Sequence, residues 1–470
     1  MEFQNRKNEL QAIRNLEQLS EKHAHMLVMF GRRRVGKTRL IIESMDSIYF
    51  FVDKKTSSLL LREYSDILKT ELSGFVPEFS NWDDLVRFLF EYSKENHLKI
   101  VFDEFQNFTY VDPAIFSIFQ KYWDMYHVDT PILLVFVGSY IGLMKKIFIN
   151  AKEPLYGRAT SRIDLKPLSY KYIRTICRDL GFTNEEEIIA LYATFGGVPR
   201  YYQLIEDYGI TTYEDAIRTL ILSENAILKE EVKQILISEF GNKYTTYFSI
   251  LEAVSFGKGT LKEISDTTGI EMKSLSRYLH DLVNTYEIIE RRAPIIKGTK
   301  MGRYAIKDQM VHFWFRFINP NMSFTESGKY DLVYDRIKTS LSSFIGPVFE
   351  QIARDIAFDN LPFSPLKMGA WWNRRGDEID IAAIGEKPYR VFLGEVKWNS
   401  RPLGVNEIKK LLDKRILVDW YNNERQEHFL MISKAGFTKS AKDFMNDNKI
   451  EGWDLAELLM LDSLPGKYIN

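Results

Sequence analysis

The stretch "HMLVMFGRRRVGKTRL" (25–40) decides how the first third of this chain folds. Its opening six residues carry almost no polarity, so the strand they predict has no wet face and belongs inside a parallel sheet covered on both sides by helices. Gly31, Gly36, Lys37 and Thr38 then complete the pattern G-x-x-x-x-G-K-[ST], directly after that strand and directly before a helical run. The chemistry explains each position. Glycines let the backbone wrap a phosphate with its N–H groups, and the helix N-terminus adds positive potential. Lys37 is placed to reach the β- and γ-phosphates and Thr38 to hold Mg²⁺. The stretch therefore predicts an ATP site in which Gly31, Arg32, Arg33, Arg34, Val35, Gly36, Lys37, Thr38 and Arg39 form the phosphate cradle.

Working outward, "LKIVFDEFQN" (98–107) supplies the partner to that loop. An apolar strand ending in Asp103 and Glu104 delivers two carboxylates at its C-terminal end. Asp103 would complete the Mg²⁺ shell and Glu104 would polarise the attacking water. "VFVGSY" (135–140) ends another apolar strand in Ser139, a candidate sensor of the γ-phosphate. Strands at 25–31, 47–53, 98–105 and 132–139 alternate with helical patterns, which implies an α/β layer with parallel pairing.

The bulk numbers narrow the class. A chain of 470 residues, 45% hydrophobic and 27% charged, has material for several cores. A net charge of -1 leaves room for a local basic patch, so nucleic acid stays open as a partner. The single cysteine, Cys177, excludes an internal disulfide and fits a reducing compartment. The most apolar run, "PILLVFVGSYIGLM" (131–144), is too short and too interrupted to span a bilayer. These features point to a soluble, cytoplasmic protein with no membrane partner. Histidine is scarce, and neither a Cys/His zinc pattern nor a Ser-His-Asp or catalytic Cys arrangement is present.

The order "FQNRKNEL" (3–10), "GRRRVGKT", "VFDEFQ", "VGSY", "PLYGRATSRIDLKPLSY" (154–170) and "GGVPRYY" (196–202) resembles the archaeal-type ATPases of the AAA+/STAND branch of P-loop NTPases. The resemblance implies that Arg6 and Glu9 lie near the adenine. It implies that Arg158 serves as an arginine finger or sensor, in its own subunit or in a neighbour. It also implies that Gly197 and Pro199 lie near the base, with Arg200 adjacent. Assembly of several copies is compatible with such a role.

Residues 244–310 read as three helices and a hairpin with the spacing of a winged helix-turn-helix. The third helix keeps Leu275, Leu279 and Leu282 on one face and shows Lys273, Ser274, Ser276, Arg277 and His280 on the other. Arg291, Arg292, Lys297 and Lys300 lie on the wing. Those residue types reach phosphates and base edges, although in AAA+ and STAND proteins such modules also serve as internal levers.

Near the C-terminus, "RRGDEIDIAAIG" (374–385) and "VFLGEVKW" (391–398) flank the short turn "GEKPY" and predict an antiparallel hairpin. Pairing across it brings Asp380, Glu395 and Lys397 together, and an amphipathic helix at 342–357 offers Glu350. This set resembles the metal site of PD-(D/E)xK nucleases. On that resemblance Glu350, Asp380 and Glu395 hold Mg²⁺ or Mn²⁺. Lys397 then orients the attacking water and stabilises charge at the scissile phosphate. Trp371, Trp372, Arg374 and Arg375, at the hairpin entry, would hold a nucleic-acid backbone or else pack as core.

The composite expectation is an α/β multidomain protein in four parts. An ASCE, AAA+-like P-loop core spans 1–170, a helical lid 171–240 and a winged helix-turn-helix 241–320. After a polar linker at 321–331, a PD-(D/E)xK nuclease-like fold spans 341–470. The expected function is an ATPase whose nucleotide cycle gates a metal-dependent DNA endonuclease, with RNA offering the same phosphate chemistry. The alternative is a regulatory ATPase switch, or a DNA-binding regulator, with an inactive nuclease-like module.

Overall fold

A computed structural model describes residues 6–296 and 301–462. The chain separates into two compact units, each assembled from several chain segments. The first comprises residues 1–172, 197–208 and 280–287, and the second comprises 173–196, 209–279 and 288–470.

The first unit is built on five parallel strands: β1 (His25–Phe30), β2 (Ile48–Phe51), β3 (Leu98–Asp103), β4 (Ile132–Gly138) and β5 (Ser161–Asp164), in the order β2-β3-β4-β1-β5. Alternation along each strand divides its apolar side chains between two cores. Met26, Val28, Phe30, Phe102, Leu134 and Phe136 enter one. Leu27, Met29, Val101, Leu133, Val135 and Val137 enter the other. Both faces are therefore dry, as the uninterrupted apolar runs require. The order places β1 and β3, which carry the loop and the two carboxylates, on either side of β4, so their C-terminal ends face one cleft.

The loop between β1 and the helix Lys37–Ser44 turns where Gly36 adopts φ 97°, a left-handed conformation that suits glycine. Gly31 is required for closeness instead: a Cβ there would lie 2.4 Å from the Leu165 carbonyl oxygen.

In the second unit, helices Tyr244–Ser255, Leu261–Thr268 and Met272–His280 precede an antiparallel pair, β6 (Ile289–Arg292) and β7 (Arg303–Ile306). The helix at Leu261 is started by a capping box between Thr260 and Glu263. Lys273, Ser274, Ser276 and Arg277 are exposed, whereas Leu275 and Leu279 are buried. Lys297 and Lys300 fall outside the described residues.

The expected polar linker at 321–331 is not one. Asn321 and Thr325 are buried, and Asn321 donates to the Phe317 carbonyl and accepts from Arg336. These two polar side chains find partners inside the fold, while Ser323, Glu326, Ser327, Lys329 and Asp331 stay exposed. A single 31-residue helix, Tyr330–Asn360, then replaces the shorter one expected at 342–357 and accommodates Pro347 in its interior.

The C-terminal sheet contains β8 (Lys367–Trp372), β9 (Glu378–Gly385), β10 (Arg390–Lys397), β11 (Gln426–Ser433) and β12 (Ile450–Asp454), in the order β12-β11-β10-β9-β8. Strands β9 and β10 form the expected antiparallel hairpin, with Gly394 opposite Ile381. Its edge strand β8 is covered: Ile295 donates to the Ala370 carbonyl at 3.2 Å, and Ile296 enters the core of this sheet.

A phosphate-loop cavity and a carboxylate–lysine cluster

At the C-terminal end of the first sheet lies a cavity of about 550 Å³. The phosphate loop contributes Arg33, Arg34, Gly36, Lys37, Thr38 and Arg39. Strand ends contribute Phe51, Lys54, Glu104, Asn107, Ser139 and Tyr140, and the helix Pro199–Asp207 adds Pro199, Arg200 and Gln203.

Lys37 is buried, and its ammonium donates to the carbonyls of Gly31 and Arg32, both at 2.9 Å. Burial pulls its pKa down to about 8, against the opposing pull of Glu104 and Asp103. The Thr38 hydroxyl donates to Asp103 Oδ2 at 2.8 Å. The Tyr49 phenol, from β2, donates to the same oxygen. Asp103 Oδ1 accepts the Glu104 backbone N–H at 2.8 Å, so the carboxylate is fixed through both oxygens. Thr38 and Asp103 thus bring two hard oxygen donors together, the set Mg²⁺ takes beside nucleotide phosphates. When bound, the metal would neutralise phosphate charge.

Glu104 sits in the left-handed region, with φ 54°. Its carboxylate accepts the Ser139 hydroxyl at 2.7 and 2.8 Å and also accepts the Gln106 amide. Ser139 therefore holds the glutamate expected to polarise water. Arg6 is buried behind the loop, where it donates to the Lys166 carbonyl at 2.7 Å and pairs with Glu9 at 3.1 Å.

A second charged cluster lies in the C-terminal sheet. The Lys397 ammonium donates to Glu395 at 2.7 Å and to Asp380 at 3.2 Å. Asp380 Oδ2 also accepts the Val396 backbone N–H at 2.8 Å. Lys414, at the end of the helix Val405–Lys414, donates to the other Glu395 oxygen at 2.6 Å and to the Glu378 carbonyl at 2.7 Å. Burial, and then Glu395, raise the Asp380 pKa. Burial lowers that of Lys397, but the two carboxylates outweigh it and the net shift is upward. Glu350 is pushed up to about 7 by burial and by the nearby Asp380 charge.

The expected three-carboxylate metal site at Glu350, Asp380 and Glu395 is not assembled. No group of three or more His, Cys, Asp or Glu side chains among the described residues is arranged to hold a metal ion. The reason is visible in the bonding: Lys397 and Lys414 already occupy the oxygens of Glu395, and Lys397 shares Asp380.

Comparison with known proteins agrees with the first unit. Residues 3–205 match a family described as an ATPase domain predominantly from Archaea, and residues 314–411 match one described as archaeal and bacterial proteins of unknown function. An uncharacterized protein of Methanocaldococcus jannaschii, MJECL04, is 33% identical over 425 residues, covering 87% of this chain and 90% of that protein. The chain belongs to the archaeal-type ATPase family. The Walker-type ATPase PABY2304 of Pyrococcus abyssi superposes with a TM-score of 0.52 at 19% identity, over 66% of this chain and 95% of that one. This likeness shows a shared fold. The ORC2 protein of Aeropyrum pernix aligns over 69% of this chain and 95% of its own, with a TM-score of 0.47 and 13% identity.

Two further sets of expected residues lie elsewhere in this archaeal-type ATPase. Arg158 is not brought to the cavity. It pairs bidentately with Asp124 at 2.6 and 2.8 Å, beside the N-terminal end of β1, where Thr160 donates to Met26. The phosphate loop leaves the opposite end of that strand. Trp371 and Trp372 are buried; Trp371 packs in the core of the C-terminal sheet, and the Trp372 indole donates to the Met301 carbonyl at 3.0 Å. They are packing residues, while Arg374 and Arg375 are exposed.

Three contributors had weak sequence signals or none. Tyr49 shares a strand face with Phe51, which alternation along β2 reveals. Asn107, three residues after Glu104, donates to the Val52 carbonyl at 2.8 Å and leaves its buried Oδ1 without a partner. Lys414 belongs to no motif. No described helix is long and apolar enough to cross a membrane.

Proposed function

We infer that the protein binds and hydrolyses ATP with Mg²⁺ at the phosphate loop, and that this cycle gates a DNA endonuclease carried by the C-terminal sheet. The observation that carries the reading is the convergence of Lys37, Thr38, Asp103 and Glu104 on one cavity. Lys37 binds phosphate, Asp103 orients Thr38, and Glu104 receives a proton from the attacking water once Ser139 releases it.

The nuclease half rests on the β9–β10 register, which unites Asp380, Glu395 and Lys397. Lys397 would face the scissile phosphate and Arg374 and Arg375 its neighbours. Exposed Lys273 and Arg277 in the winged-helix segment would meet DNA phosphates or, equally, RNA. The carboxylates do not fit a metal as they stand. The same bonding favours a second reading, an ATP-dependent switch with a non-cleaving module, because two ammonium groups already balance the two carboxylates.

One experiment separates the readings. Circular single- and double-stranded DNA is incubated with the protein and Mg²⁺ or Mn²⁺, with and without ATP, beside Asp380→Ala. Cleavage that disappears in the variant and responds to ATP supports gating. Intact DNA, with ATP turnover preserved, selects the switch.

A further inference from the structure

Beside the phosphate-loop cavity runs a row of four side chains in which cations and rings alternate. The Arg33 guanidinium lies 4.8 Å from the Tyr140 ring centroid and donates to its hydroxyl. The Lys54 ammonium lies 5.9 Å from the same ring and 4.6 Å from that of Tyr110. Each residue comes from the segment after a different strand: Arg33 after β1, Lys54 after β2, Tyr110 after β3 and Tyr140 after β4. The row therefore follows the sheet edge at which α/β folds take their ligands.

Tyr140 is buried at the base of the row, and the other three members are open to solvent, so Tyr110 is the ring placed to stack a base. Tyr110 is 60% exposed and Phe51, on the cavity rim, 48%. Lys54 and Arg33 are exposed as well. The cavity beneath is lined by Arg33, Arg34, Lys37, Arg39, Lys54 and Arg200, with Glu104 the one carboxylate on its wall among the described residues. Arg39 lies 3.8 Å from Glu43 and Arg200 3.8 Å from Asp207, and the remaining cations still outnumber the carboxylate on the wall. Asn107 adds a buried acceptor on the same wall with no donor. Arg33, Lys37 and Lys54 lie on the same wall as Thr38, Glu104 and Ser139, the residues read as facing the terminal phosphate.

We propose that this Arg33–Tyr140–Lys54–Tyr110 row binds a single strand of nucleic acid next to the terminal phosphate of ATP. Cations spaced along a groove track the backbone, and exposed aromatic rings stack bases whatever their sequence. A duplex hides base faces from the rings, so the strand bound here is unpaired. The proposal rests on the reading of the loop as an ATP site and goes beyond it. It assigns the ATPase unit its own contact with the polymer, independent of the winged-helix and C-terminal segments.

The test uses the full chain and a fluorescent oligothymidylate, read by anisotropy over a series of salt concentrations, with binding of a fluorescent ATP analogue measured separately. Tyr110→Ala is expected to weaken oligonucleotide binding about tenfold while Tyr110→Phe keeps it, because a stacked base contributes through the ring. Lys54→Gln is expected to make the salt dependence shallower by about 0.7, the contribution of one phosphate contact on a single strand. Oligonucleotide binding that ignores both substitutions overturns the proposal. Equal competition by inorganic polyphosphate, with Tyr110→Ala neutral, overturns it in favour of a bare anion site. Failure to bind the ATP analogue while the oligonucleotide still responds to both substitutions defeats the ATP assignment and leaves the strand site standing.

Discussion

Lysine, aspartate and glutamate meet at two places in this chain, and they are arranged oppositely. At the phosphate loop the charges are kept apart. Lys37 is parked on backbone carbonyls, Asp103 on hydroxyls and Glu104 on Ser139, each a neutral partner. In the C-terminal sheet the charges are spent on each other, two ammonium groups against two carboxylates. Neutral partners exchange readily for a ligand, whereas opposite charges paired over buried carboxylates must be separated first. The contrast teaches that residue identity names a chemistry, and partner identity says whether the chemistry is available.

The sharpest way to break that contrast is Lys37→Ala. Removing the phosphate cation should lower ATP turnover by about 10³-fold, comparable to losing a principal electrostatic donor, in a steady-state phosphate-release assay. Next in size is Glu395→Ala, which takes the carboxylate partner from Lys414 and leaves Lys397 with Asp380 alone. We expect destabilisation of about 2 kcal/mol by denaturant unfolding, below the figure for a fully buried pair because the lysines are partly exposed. The corresponding change at the first site, Ser139→Ala, breaks a neutral contact and should cost only about 1 kcal/mol of stability.

A pH measurement sharpens the comparison with a buried neutral group. Burial lowers the His312 pKa to about 4, with the Ser255 carbonyl 3.3 Å from its ring. The unfolded chain therefore binds the extra proton between pH 6.5 and about 4. Stability should be fully present above pH 6.5 and fall with pH through that window, by at most about 3 kcal/mol. His312→Gln should flatten the slope. The smallest effect is expected from Tyr49→Phe, which removes one of two donors to Asp103 Oδ2. The Mg²⁺ concentration for half-maximal turnover should shift several-fold, about 1 kcal/mol, with little change in maximal rate.

These residues also mark how far the sequence could be read. Contiguous signals were legible: the phosphate loop, the Asp103-Glu104 strand end and the β9–β10 hairpin each lie within a few residues of their partners. Contacts between distant segments were not. Lys414 reaches Glu395 from a helix whose amphipathic pattern says nothing about its last side chain. Arg158 follows a motif, yet its loop lies at the end of β1 opposite the phosphate loop of its own chain, a fact set by strand direction. Trp371 and Trp372 sit among arginines in the sequence, but the chain around Ile295, Ile296 and Met301 covers them. Within the polar run at 321–331, Asn321 is buried because its partners, Phe317 and Arg336, are assigned only by the fold.

The phosphate-loop unit draws on residues 1–172, 197–208 and 280–287, the last stretch lying beyond the helix Met272–His280. There Thr285 packs against Gly142, where a Cβ would lie 2.6 Å away, and Glu287 pairs with Lys145. The unit is thus not a cassette that recombination could lift out as one continuous stretch of gene. A crossover anywhere between residues 173 and 279 would strand part of it, so the front and middle of this chain are bound to be inherited together.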